Sequence, residues 1–79
     1  MARVLLFGPL RDLAGWRERE IEAPRLSALR ATLAADDAAL GAALAGPGVQ
    51  AAVDKALIRG DTELAPGSEV AFLPPMSGG

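Results

Sequence analysis

The chain has 79 residues, 51% of them hydrophobic, and a formal net charge of −2, so we expect residues 1–79 to form one small domain. Its eight basic residues are scattered, which excludes the basic stripe that nucleic acid requires. The absence of cysteine, histidine and tyrosine excludes disulfides, thiolate nucleophiles, imidazole bases and the usual zinc sites. No apolar run approaches the ~20 residues of a membrane span, and no signal-peptide pattern is visible, so we expect a cytoplasmic protein.

The first part of the chain predicts two strands joined by a short helical turn. Residues 3–8 contain an unbroken apolar run, which is typical of a strand that is buried on both faces or central in a sheet. A helical turn is expected at residues 10–13. Residues 16–21 alternate charges of opposite sign, and such charge favours an edge strand because it discourages unwanted pairing.

The middle of the chain predicts the helix that covers the sheet. Three leucines recur at helical spacing within residues 26–35, among alanines that favour a helix. The two aspartates at positions 36 and 37 are expected to cap a second, short helix that carries Leu40 and Leu44. Residues 46–48, which read Gly-Pro-Gly, should end that helix.

The last part predicts three more strands, at residues 49–53, 56–58 and 69–73. Asp54-Lys55 makes a tight turn between the first two, and the sequence leaves its type open, because a type I′ turn prefers glycine where Lys55 stands. Residues 65–68 read Ala-Pro-Gly-Ser, which fits a type II turn with proline and glycine in the central positions.

This order of elements predicts an α+β fold, in which a five-stranded mixed sheet packs on one main helix. The first and last strands are the most apolar, so we expect them to form the central pair. The arrangement resembles the β-grasp roll of ubiquitin, with a diglycine tail that protrudes from the carboxyl end.

The tail itself, residues 74–79, reads Pro-Pro-Met-Ser-Gly-Gly. Proline cannot donate to a strand ladder, so the last strand should end near Leu73, and consecutive prolines favour an extended backbone. Fully extended, the tail would reach roughly 20 Å, at about 3.3 Å per residue. Gly78 and Gly79 have no side chains, so this tip fits a narrow channel. The alternative is an ordinary disordered terminus.

Three segments carry a resemblance to a known family: Val-Leu-Leu-Phe at residues 4–7 with the turn at residues 10–15, Ala-Ala-Val-Asp at residues 51–54, and the closing segment, residues 67–79. On these segments the chain resembles the small subunits of molybdopterin synthase, which are ubiquitin-like sulfur carriers. One departure is Leu73, which stands where the family often has a second aromatic residue before the prolines.

The resemblance implies a function for the carboxyl end. An adenylating enzyme of the ubiquitin-activating type would use ATP to activate the carboxylate of Gly79, which would become a thiocarboxylate. That sulfur would pass to a cyclic pterin precursor to form the dithiolene of molybdopterin. The pterin and the catalytic side chains would belong to a large subunit, in a heterotetramer of two small and two large subunits. The present chain would then be a non-catalytic subunit with no bound cofactor or metal.

The resemblance also implies which residues meet the large subunit. Part of the tail would insert into its pocket, namely Pro75, Met76, Ser77 and Gly78. Side chains alternate along a strand, so if Val4, Leu6, Val70 and Phe72 face the helix, their neighbours face the other way. Those neighbours would form an exposed apolar partner site, namely Leu5, Phe7, Ala71 and Leu73. The alternatives are that a loop covers this face or that the two faces are reversed. Arg11, near this face in the family, would pair with an acidic partner group, and the alternative is an arginine that is simply solvated.

Two alternative functions stay open at this point. The first is a ubiquitin-like protein modifier, whose Gly79 is joined to lysines of other proteins. The second is a sulfur carrier for another product, such as thiolated tRNA or thiazole.

Overall fold

A computed structural model describes residues 1–75 of the chain. In chain order, its elements are β1 (Ala2–Leu6), α1 (Pro9–Ala14), β2 (Glu18–Ile21), α2 (Leu26–Asp36), α3 (Ala38–Leu44), β3 (Gln50–Val53), β4 (Ala56–Ile58) and β5 (Glu69–Leu73). The strands form a sheet of order β2-β1-β5-β3-β4. The pair β1 and β5 is parallel and the other neighbouring pairs are antiparallel, so the sheet is mixed, as expected.

The placement of the strands follows their hydrophobicity. The apolar strands β1 and β5 lie side by side within the sheet, and the charged strand β2 lies at an edge, which confirms both predictions. Three strands are shorter than expected, and one of them is β3, which begins at Gln50 and not at residue 49. β1 ends at Leu6 because Gly8, with φ of 57°, turns the backbone away. β2 begins only at Glu18, because Trp16 turns inward and packs against the core.

The helices cover one face of this sheet. α2 buries Leu26, Leu29 and Leu33 completely, as their spacing predicts. Asp37 caps α3, because its Oδ1 accepts a hydrogen bond from the backbone N–H of Leu40 at 3.1 Å. The predicted second helix and its aspartate cap are therefore confirmed.

The core lies between the helices and the sheet. The four strand residues expected to face the helix are buried, namely Val4, Leu6, Val70 and Phe72. Arg30 of α2 also contacts Phe72, with its guanidinium carbon 5.1 Å from the ring centroid. The same guanidinium donates to the carbonyl of Leu44 at 3.3 Å, so Arg30 links the ring to the end of α3.

The structure also defines the two turns. Asp54 and Lys55 have φ of 49° and 71°, the positive pair that a type I′ turn requires, although Lys55 is not glycine. Asp54 gains support from Glu69, because its backbone N–H and its Oδ1 each bond to that residue's backbone, at 2.8 and 2.9 Å. The predicted type II turn is confirmed by φ of 81° at Gly67 and by the Ser68 N–H, which donates to the Ala65 carbonyl at 3.0 Å.

Asp61 joins the loop before β5 to the start of α2. Its carboxylate accepts hydrogen bonds from Arg25 Nε at 2.8 Å, from the Ser27 backbone N–H and hydroxyl at 2.9 Å each, and from the Thr62 backbone N–H at 2.8 Å. The bond from Arg25, followed by the backbone bond from Ser27, holds the pKa of the Asp61 carboxyl well below its usual range. The charged form of Asp61 is therefore the one that stabilises the fold.

Asp61→Asn is expected to lower the melting temperature by a few degrees at pH 7, because the amide cannot accept all these bonds. In the fold, the pKa of Asp61 lies below its unfolded value of about 3.9. The stabilisation is therefore complete above that pH and is lost as the pH falls toward the folded pKa. Thermal unfolding from pH 7 to pH 2 should show the two proteins converging below about pH 4.

The matched control is Asp12→Asn, since Asp12 is exposed on α1 and makes no side-chain hydrogen bond within residues 1–75. This variant should have nearly the melting temperature of the wild type at pH 7. A gap between wild type and Asp61→Asn that stays constant down to pH 2 would contradict the role given to Asp61.

Candidate functional site

The candidate interface lies on the sheet face opposite the helices, which we call the open face. The strand register aligns one row of residues across the open face. From β2 to β4, this row consists of Glu18, Leu5, Ala71, Ala52 and Leu57. Residues directly opposite one another in a sheet point to the same side, so four members of this row form an apolar stripe beside one acidic residue. Leu57 is 60% exposed, so the stripe reaches solvent at the β4 edge.

Two predicted interface residues, Phe7 and Leu73, lie at one end of this stripe. Because β1 and β5 run parallel with Leu6 beside Phe72, the next residues along both strands come to the same end of the sheet. Phe7 is 45% exposed, while Leu73 and Leu5 are half-buried. The structure therefore brings Leu5, Phe7 and Leu73 together on the open face.

Ala71 is an exception to the expected exposure. It lies on the open face but is only 8% exposed. Its short side chain sits on the middle strand of the sheet, between Leu5 on β1 and Ala52 on β3, and its neighbours shield it. Ala71 therefore lies below the exposed surface of the stripe, and its side chain does not project from it.

Sequence reasoning missed Ala52 and Leu57. Their place on the open face depends on the pairing of β3 with β4 and β5, which strand alternation alone does not give. The sequence feature that could have indicated Leu57 is its large apolar side chain in a strand of only three residues.

The end of the stripe near Phe7 is basic. Arg11 is exposed and lines a groove of about 250 Å³ together with Leu5, Phe7, Arg17 and Glu18. Arg17, which the sequence did not single out, doubles the positive charge beside Phe7. Next to it, Glu18 accepts a hydrogen bond from Arg3 Nε at 2.7 Å, and this bond lowers the pKa of the Glu18 carboxyl.

The tail begins at this same end of the sheet. β5 ends at Leu73, as the prolines predict, and Pro74 is half-buried while Pro75 is exposed. The remaining predicted site residues, Met76, Ser77, Gly78 and Gly79, lie outside the described residues. The part of the site that the structure describes is thus an apolar stripe with two arginines, at the point where the tail leaves the body.

Within residues 1–75, no three acidic side chains gather closely enough to hold a metal ion. No helix in that part of the chain is long and apolar enough to span a membrane.

Comparison with solved structures identifies the fold. The small archaeal modifier protein 1 of Methanosarcina acetivorans superposes with a TM-score of 0.85 at 23% identity, over 99% of this chain and 95% of that one. The protein of the same name from Haloferax volcanii superposes with a TM-score of 0.81 at 22% identity, over 99% of this chain and 98% of that one. At these identities the likeness concerns the fold alone, and it confirms the ubiquitin-like β-grasp architecture.

Two further proteins are more similar in sequence. A putative molybdopterin converting factor, subunit 1, from Pyrococcus furiosus has a TM-score of 0.73 at 28% identity, over 95% of this chain and 97% of that one. The molybdopterin synthase sulfur carrier subunit of Escherichia coli (strain K12) is 40% identical over 81 residues, which covers 100% of both chains. The family model that matches is that of the ThiS family, over residues 4–79, and the chain therefore belongs to this family.

Proposed function

We propose that this chain is the sulfur-carrying small subunit of a molybdopterin synthase. The observation that carries the proposal is the likeness over the full length, at 40% identity, to the Escherichia coli subunit of that name. The two adjacent glycines at positions 78 and 79 support it, because residues without side chains leave the carbonyl of Gly79 unhindered. Residues 1–79 act as one unit, in which a folded body presents residues 74–79 as its working end.

The chemistry takes place at the carboxyl carbon of Gly79. A carboxylate oxygen attacks the α-phosphorus of ATP in a partner adenylating enzyme, and pyrophosphate leaves. A sulfur donor at the oxidation level of hydrosulfide then attacks the carbonyl carbon and expels AMP, which leaves a thiocarboxylate. The thiocarboxylate sulfur later bonds to the pterin precursor, and water then cleaves the carbon–sulfur bond at Gly79, which leaves the sulfur on the pterin and restores the carboxylate. Glycine at both terminal positions leaves the carbonyl open to each of these attacks.

The acid–base groups for the final transfer belong to the large subunit, and the present chain supplies the sulfur. The open face supports this division, because it offers an apolar docking surface beside the root of the tail. Leu5, Phe7 and Leu73 would contact the large subunit directly, and Arg11 would pair with an acidic group on it. A contiguous apolar surface on a small domain commonly marks a partner site.

The test is intact-mass measurement after incubation with the adenylating enzyme, ATP and a sulfur source. We expect the mass increase that results when sulfur replaces one oxygen, located by fragmentation to Gly79. A second incubation with the large subunit and the pterin precursor should return the original mass as molybdopterin forms. An unchanged mass with an adenylating enzyme that is active on its own substrate would refute the proposal.

The same experiment separates the alternatives. Covalent conjugates of the chain with other proteins, formed through Gly79, would indicate a protein modifier. Sulfur acquisition without delivery to the pterin precursor would indicate a carrier for another product. The likeness to the archaeal modifier proteins concerns the fold alone, so it does not favour the first of these.

A further inference from the structure

The two prolines at the root of the tail lie against two glycines from separate loops. Gly8 is in the loop between β1 and α1, and Gly48 is in the loop between α3 and β3. A Cβ atom placed on Gly48 would lie 2.9 Å from Pro75 Cβ and 3.5 Å from Pro75 Cα. A Cβ atom on Gly8 would lie 3.3 Å from Pro74 Cγ. A side chain at position 48 would therefore force Pro75 to shift, and one at position 8 would crowd Pro74.

The backbone at both glycines adds a second constraint. Gly8 has φ of 57° and Gly48 has φ of 83°, a region that residues with side chains rarely adopt. Glycine therefore serves two purposes at each position, since it permits the turn and leaves space for a proline.

Both glycines are tied to helices. The Gly8 carbonyl accepts the Arg11 backbone N–H at 3.1 Å, in the first turn of α1. On the other side, the loop of Gly48 is closed by a hydrogen bond of 3.4 Å from the Val49 N–H to the Gly46 carbonyl. Gly46 in turn donates to the Ala43 carbonyl of α3 at 3.0 Å. Hydrogen bonds therefore fix the two loops to the helices, and the loops in turn contact Pro74 and Pro75.

Proline has no backbone N–H, so Pro74 and Pro75 cannot be held by donating to a neighbouring strand. The contacts of their rings and α-carbons with the two glycines are a way to hold them that needs no such donor. We propose that Gly8 and Gly48 are positioning residues, which clamp Pro74 and Pro75 and so fix the direction in which the chain leaves the sheet. We call these four residues the proline clamp.

The role of the proline clamp in sulfur transfer rests on the proposed function. A carrier whose tail enters two enzyme pockets in turn loses backbone freedom each time it inserts. Fixing the first residues beforehand reduces that loss and so favours binding. Pro74 and Pro75 have restricted backbones, and the clamp gives these two residues one direction relative to the open face.

The test compares two alanine variants that share the same backbone strain. Gly48→Ala adds a methyl group against Pro75. Gly60→Ala is the matched control, because Gly60 has φ of 84° and no atom of residues 1–75 lies within 4 Å of its added Cβ. Any effect of the positive φ itself should be common to both variants, and melting temperatures check that both fold. Gly8→Ala, in the other loop, is a second and milder test of the clamp.

The first measurement is made by NMR and needs no enzyme. In the wild type we expect a nuclear Overhauser effect between the α-protons of Gly48 and the β-protons of Pro75. Gly48→Ala should lower the order parameter of the Pro75 Cα–H bond, whereas Gly60→Ala should leave it unchanged. Absence of the wild-type contact, or equal effects of the two variants, would overturn the clamp.

The second measurement is steady-state adenylation, with the carrier as the varied substrate. We expect Gly48→Ala to raise KM roughly tenfold with a smaller change in kcat, which corresponds to the backbone freedom of about one residue. Gly60→Ala should leave KM unchanged, and an equal KM for both variants would refute a positioning role. If the wild type acquires no sulfur, the proposed function fails, while the NMR comparison still decides the clamp.

Discussion

Deletion of Gly78 and Gly79 is expected to abolish sulfur acquisition without lowering the melting temperature. The physical reason is that the proposed reaction occurs at the carboxyl carbon of Gly79, and a chain ending at Ser77 would present a more hindered carboxylate at a different distance from the body. The folded body should not change, because every helix and strand among the described residues ends at or before Leu73. Intact-mass measurement with the adenylating enzyme, together with thermal unfolding, checks both statements.

A single added residue gives a sharper version of this experiment. One glycine placed after Gly79 converts the reactive carboxylate into an amide and moves the new carboxylate by about 3.3 Å. One glycine placed before Met1 lengthens the chain by the same amount at the opposite terminus and is the control. Only the first variant should fail to acquire sulfur. If this variant acquires sulfur with the extra residue still attached, the sulfur is not carried on Gly79.

Phe72→Ala is expected to destabilise the fold by about 3–5 kcal/mol, the usual cost of emptying a buried aromatic site. Phe72 is 0% exposed and lies under the guanidinium of Arg30, so its loss leaves a cavity in the core and removes a cation–π contact. A domain of ordinary stability has only roughly 5–15 kcal/mol in total. Urea denaturation should therefore show a large shift of the midpoint.

The neighbouring residue is the matched control and tests the other face. Leu73 follows Phe72 on β5 and points to the open face, so Leu73→Ala should unfold nearly as the wild type does. It should instead weaken binding to the large subunit by roughly tenfold, the effect of one of the minority of interface side chains whose truncation costs more than about 1 kcal/mol. Calorimetric titration measures this affinity. If Leu73→Ala costs as much stability as Phe72→Ala, or leaves the affinity unchanged, the interface assignment is wrong.

Much of this architecture was predictable because its signals are local. Leu26, Leu29 and Leu33 recur every three or four residues, and that spacing by itself defines the buried face of α2. The apolar runs of β1 and β5 predicted inner strands, and the charges of β2 predicted an edge. Errors arose where a residue turned toward a distant partner, as Trp16 does when it packs inward ahead of β2.

The candidate site was predictable only in part. Alternation along β1 and β5 placed Leu5 and Leu73 on the open face, because that rule needs only neighbours in sequence. The prediction that Ala71 is exposed was wrong, since the burial of this residue depends on which strands lie beside it. Leu57 was missed for the same reason, because its position follows from the register of β4 against β3.

The sequence by itself determined the class of fold and the family to which the chain belongs. Both follow from covalent order, since helix spacing, strand alternation and family motifs exist before the chain folds. The tertiary structure alone decided the contacts between distant residues, namely the apolar stripe, the bonds to Asp61 and the approach of Gly48 to Pro75. These contacts join residues far apart in the chain, so only the packed arrangement of sheet, helices and loops brings them together.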